Sequence, residues 1–136
     1  MDDKLKILEK TKKIVRTYGW SDEIFNKLPK NNVKYDDLIF HFPNGYKELL
    51  KLALKELDEI HEAKVRKKNI INFPLSIRIK KILMLRFEVL EKDKNFYHKT
   101  FNHLLLPQNY KIMKKIFLIF SISSLIKSTS SPAIIS

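Results

Sequence analysis

Residues 43–68 read PNGYKELLKLALKELDEIHEAKVRKK, and this stretch decides the fold. Pro43-Asn44-Gly45 is a break, because Pro lacks a backbone donor and Gly accepts conformations closed to other residues. Beyond it, Leu49, Leu50, Ala53, Leu57 and Ile60 recur at helical spacing, with Lys and Glu filling the other face. The pattern predicts a long helix over 45–68, with Asn44 as its N-cap. Its end, Lys64, Arg66, Lys67 and Lys68, suits the negative pole of a helix dipole.

The same period extends in both directions. A first helix is expected over 3–18, with Leu5, Leu8, Ile14 and Val15 on one face and Gly19 ending it in a left-handed conformation. Ser21 reads as the N-cap of a short second helix carrying Ile24, Phe25 and Leu28, stopped by Pro29 and Asn31-Asn32. A third short helix is expected over 35–41. Downstream, Phe73-Pro74 opens a fifth helix that is apolar in nearly every direction, so its flanks are expected to be covered by protein or by an apolar ligand. A sixth helix is expected over 95–106 and a seventh over 109–126. The tail, 127–136, shows no period and reads as disordered. No alternating run or hairpin dipeptide signals a strand. The fold expected is therefore all-α, one domain over 1–126.

Composition narrows the chemistry. The 136 residues contain no cysteine, which removes disulfides, thiolate metal sites and cysteine nucleophiles. Two glycines, Gly19 and Gly45, are too few for a phosphate-cradling loop. His41, His61, His98 and His103 lack the one-turn pairing that points two imidazoles at one metal. No metal is expected, and His61-Glu62 reads as an ordinary helix-surface pair. Asp36 and Asp37 are adjacent, so they diverge on a helix. The serines from Ser121 to Ser131 lack a nucleophile-elbow context. No catalytic residues, no cofactor and no enzyme activity are expected.

The net charge of +12 suggests nucleic acid or an anionic surface. Its distribution separates the two. Arg16, Arg66, Arg78 and Arg86 are the only arginines, and the Lys/Ile/Asn-rich, Ala-poor profile is what AT-rich coding produces whatever the function. Residues 19–46, the helix-turn-helix-like part, hold three lysines against four acids, a net of −1. Phosphate contacts dominate DNA affinity, so that head is poorly equipped for DNA. Residues 69–136 hold 11 bases and 3 acids. Lys stems lie well along apolar surface with the ammonium in water, so this half suits a membrane surface. The N-terminal MDDKLKILEK resembles neither a secretory signal nor a transit peptide, and Ile116–Ile126 is too short to span a bilayer, for which roughly 20 apolar residues are needed.

Four landmarks carry a family resemblance. They are Gly19-Trp20-Ser21 after the first helix; Phe42-Pro43-Asn44-Gly45 before the long one; RIKKILML at 78–85; and Leu104-Leu105-Leu106-Pro107-Gln108-Asn109. In this order, over about residues 5–118, they are similar to the ubiquinone-biosynthesis accessory lipid-binding proteins, which resemble TetR regulators in fold. The resemblance implies a TetR-like domain: three short N-terminal helices in a helix-turn-helix arrangement (1–46), then longer ligand-binding-type helices (47–126). It implies a non-catalytic, often homodimeric protein that holds an isoprenoid or phospholipid ligand and presents a quinone intermediate to a membrane-associated hydroxylase. The expected location is cytoplasmic, peripheral to the inner membrane of a bacterial-type cell.

The lipid contacts expected on the fifth, sixth and seventh helices are Ile79, Leu83, Phe87, Phe101, Leu105, Ile116 and Phe117. Trp20 is expected as an anchor between the first helices. The sequence departs from the family after the seventh helix, where LIFSISSLIKSTSSPAIIS replaces the segments expected to dock the hydroxylase and the membrane. It reads as a member that ends early. The alternative function is a TetR-like DNA-binding regulator.

Overall fold

The computed structural model describes residues 2–112 and 114. These are helical, without a strand among them. Helix α1 spans Asp3–Tyr18, α2 Ile24–Lys27, α3 Tyr35–His41, α4 Tyr46–Lys67, α5 Leu75–Glu91 and α6 Lys94–Leu104. Short 3-10 turns lie at Pro29–Asn31, Ile70–Asn72 and Pro107–Asn109. The chain is helical again at 110–112 and 114, the start of the expected seventh helix. The rest of that helix and the tail lie outside the described residues.

Packing follows from the apolar faces. α1 lies against α2, α4 and α6; α4 lies against α5; α5 lies against α6. The main core is built from α1–α4 and α6, with Leu8, Leu28, Leu38, Leu49, Leu50 and Phe96 wholly removed from solvent. α5 reaches this core chiefly through Val89 near its C-terminal end. Its Ile82 and Leu85 are buried on the side of the helix that also carries Arg78.

The breaks between helices differ from expectation in detail. Gly19 has φ +78° with extended ψ, a region essentially closed to side chains, rather than the left-handed helical region. Its N–H donates to the Val15 carbonyl at 2.8 Å and closes α1. The residue before α4 with cap geometry is Gly45, at φ +96°, not Asn44. Asn44 instead donates from Nδ2 to Glu48 Oε1 at 2.6 Å. Ser21 is not the N-cap of α2, a position held by Glu23; its Oγ accepts the Glu23 N–H at 3.2 Å in the turn that precedes the helix. α2 ends at Lys27, two residues before Pro29 as expected, and Pro29 opens a separate 3-10 turn. Asn32, in the left-handed region at φ +66°, ends it.

Candidate lipid-binding face

α5 exposes what it was expected to hide. Only Arg78, Ile82, Leu85 and Val89 of this helix are buried, whereas Leu75, Ile79, Leu83 and Phe87 are exposed. These four recur every fourth residue, so they drift slowly around one side of the helix, about 40° per step. Phe101 on α6 and Leu105, one turn later just past the end of that helix, are exposed. Because α5 and α6 pack on each other, the two apolar rows sit on neighbouring helices of one body.

All five described residues among the expected lipid contacts are thus at the surface, between 36% exposed for Ile79 and 68% for Leu105. Ile116 and Phe117 lie outside the described residues. The expectation that α5 would be surrounded does not hold among the described residues, because its partners α4 and α6 cover only one side of it. Phe101 is steadied by Tyr97, whose ring stacks on it at 6.4 Å between centroids. A cleft of about 210 Å³ lies elsewhere, between α1 and the Asn32–His41 segment, lined by Lys6, Ile7, Lys10, Val33, Asp37 and His41 among others. None of the expected lipid contacts reaches it.

Polar clamps fix α5 and α6 beneath this face. His61 is 2% exposed while Ile60 is 40% exposed, so the apolar face of α4 runs through the histidine and not through its neighbour. The His61–Glu62 surface pair expected from sequence is therefore corrected. His61 Nε2 lies 2.8 Å from the Ile82 carbonyl oxygen, which can only accept, so Nε2 carries the proton. Burial pushes the His61 pKa below its ordinary value and Arg86 adds to the shift, although the Ile82 carbonyl opposes it. Nearby, Arg86 donates to Asp58 Oδ1 at 2.7 Å, joining α5 to α4 a second time.

Two further clamps tie α6 to the N-terminal helices. Arg16 grips the Asp93 carboxylate with two hydrogen bonds, at 2.9 and 2.6 Å, at the entry to α6. That guanidinium holds Asp93 below the usual carboxylate range. Lys12 is buried between Glu9 and Glu56 and lies over the Phe96 ring at 5.6 Å. Burial works against its charge, but the two glutamates outweigh it and the Lys12 pKa rises.

Trp20 is buried in the core it shares with α1 and α2, and it also reaches beyond them. Its indole Nε1 donates to Thr100 Oγ1 at 2.9 Å, and its ring meets Phe96 at 6.0 Å and Tyr46 at 6.4 Å. It anchors the α1–α2 connection to α6 and α4. Thr100 in turn donates to the Phe96 carbonyl at 2.7 Å.

The Pro107–Asn109 turn is held by Asn109, which is wholly buried and donates from Nδ2 to the His103 carbonyl at 2.8 Å. Nothing in the spacing of residues singles out Asn109 as buried. Leu106, 41% exposed at the same turn, extends the apolar surface beyond the residues expected from sequence.

Among the described residues no cluster of His, Asp or Glu could hold a metal ion, and no helix is long and apolar enough to cross a membrane. In comparisons with known proteins, no family model, curated protein or solved structure matches the chain.

Proposed function

We propose that the chain is a non-catalytic accessory protein of quinone biosynthesis that binds an isoprenoid- or acyl-chain lipid along the apolar face of α5 and α6. The observation that carries this reading is the exposed row Leu75, Ile79, Leu83 and Phe87 on α5, together with the exposed Phe101 and Leu105 on the neighbouring segment. Contiguous apolar surface that a fold does not bury marks a site for an apolar partner. A lipid chain suits a long, shallow row, because van der Waals contact and exclusion of water need no directional groups. Ubiquinone biosynthesis as the setting, and a TetR-like arrangement of the helices, rest on the four sequence landmarks alone. In this reading the protein sits at the periphery of the inner membrane and offers its lipid to a hydroxylase.

Lysines share the helix with this row. Lys80 and Lys81 lie on α5, and the Lys81 ammonium rests 4.6 Å from the centre of the Phe73 ring. Such residues can hold anionic headgroups, each contributing about 1 kcal/mol near an anionic surface. The DNA-binding alternative finds less support. α3, the helix that would read bases, carries Asp36 and Asp37 in its first turn and an outward Phe40.

The test is flotation of the purified chain with liposomes, with and without anionic lipid. The proposal expects binding that falls several-fold when Ile79 and Leu83 are replaced by Ser. Equal flotation of the variant and the parent would contradict it.

A further inference from the structure

The cleft between α1 and the Asn32–His41 segment sets charges of both signs over an apolar floor. The floor is Ile7 and Val33, each 6% exposed and each part of the main core. On the α1 side, Lys6 and Lys10 are one turn apart, so their ammonium groups can converge on one point. On the α3 side, Asp37 and His41 are likewise one turn apart. Asp3 adds a second carboxylate to the lining.

Among the described residues, none of these charged groups forms an ion pair. Lys10 Nζ lies 3.4 Å from the Asn32 carbonyl oxygen, which is long for a hydrogen bond, so its ammonium keeps donors to offer. Base on one side therefore faces acid on the other, with open space between them.

We propose that this cleft binds a small zwitterion with an aliphatic body, a free amino acid such as leucine, with its carboxylate on Lys6 and Lys10 and its ammonium on Asp37. One molecule then satisfies both sides through charge-assisted hydrogen bonds, and its side chain lies on Ile7 and Val33. A simple anion would leave Asp3 and Asp37 facing like charge, and a simple cation would do the same to Lys6 and Lys10. A metal ion is a poor occupant, because no cluster of His, Asp or Glu among the described residues could hold one. The volume of about 210 Å³ is below the roughly 300–1,000 Å³ of sites for drug-sized molecules, so the ligand is small. The cleft shares no residue with the lipid face, and the two proposals stand independently.

Both sides are open to solvent, where charges interact weakly, so a dissociation constant in roughly the millimolar range is expected. Titration of the isotope-labelled full chain with L-leucine, followed by amide chemical shifts, reads it directly. Saturable shifts should gather at Asp3–Lys10 and Asn32–His41. Isocaproate has the same carbon skeleton without the ammonium, and isoamylamine has the side chain and amine without the carboxylate. Each should bind at least fivefold more weakly than leucine. K6E and D37K should also weaken leucine binding at least fivefold, whereas K51E, on α4 and outside the cleft, should not. Lys6 and Asp37 are exposed, so both variants should stay folded.

The absence of saturable shifts through about ten times that concentration range would overturn the proposal. So would shifts that gather on α5, or leucine binding that ignores both reversals. Isocaproate binding as tightly as leucine would assign the cleft to anions instead, and isoamylamine doing so would assign it to cations.

Discussion

Trp20 shows how much one side chain can decide at the residue scale. It sits in a connection, yet its indole N–H reaches Thr100 on α6 and its ring fills space between Phe96 and Tyr46. Trp20→Phe keeps most of the ring and deletes the donor. It should cost about 1 kcal/mol, the net contribution of a typical hydrogen bond, read as a lower urea midpoint at unchanged slope. Gly19 is decided by backbone alone. A Cβ there would meet nothing nearer than Lys99 Cδ at 4.0 Å, but φ is +78°. Gly19→Ala should therefore destabilise by about 1–3 kcal/mol through strain, without a clash.

His61 gives the fold a pH dependence. Its folded pKa lies below the unfolded value of about 6.5, so under acid the unfolded chain takes up a proton that the folded one resists. Stability should be complete above that value and decline as pH falls from about 6.5 toward the folded pKa. His103, depressed chiefly by burial, adds in the same direction. H61Q retains a donor for the Ile82 carbonyl and should flatten the decline between about pH 7 and 5, measured by urea unfolding at each pH. None of this was legible in the sequence. A histidine between Ile60 and Glu62 reads as surface, and only the rotation of α4 about its axis puts His61 rather than Ile60 inside.

At the scale of elements the sequence was far more readable. The expected spans of the first, third and fourth helices lie within a residue or so of α1, α3 and α4, because period and breakers are local properties. The side on which α5 is buried was not local. Its apolar residues point in nearly all directions, so composition could not tell the Ile82–Leu85–Val89 side from the Ile79–Leu83–Phe87 side. That choice is made by α4 and α6, which pack on only one of them.

The two sides should answer differently to substitution. Leu50→Ala in the core should cost about 2–5 kcal/mol, through lost burial and the cavity left behind. Leu83→Ser on the open side should change stability by no more than about 0.5 kcal/mol, the usual range for surface positions. Thermal or urea unfolding of the two variants side by side checks the contrast.

At the scale of the whole molecule, the N-terminal helices with α4 and α6 supply a well-buried core, while α5 leans on them and offers apolar surface outward. Three polar clamps, Arg16–Asp93, Arg86–Asp58 and His61 on the Ile82 carbonyl, fix that surface in place, while Lys12–Glu56 joins α1 to α4. The candidate site was legible in part. Ile79, Leu83, Phe87, Phe101 and Leu105 are apolar at helical spacing, but that they lie on an open face instead of in a closed pocket depends on tertiary packing.

The central claim is that this face holds a lipid, and native mass spectrometry of the full purified chain tests it most directly. The parent chain should carry a lipid adduct that is lost, or reduced several-fold, in the folded Ile79→Ser, Leu83→Ser double variant. A parent chain that flies only at its bare mass, or an adduct equally abundant in the variant, would contradict it.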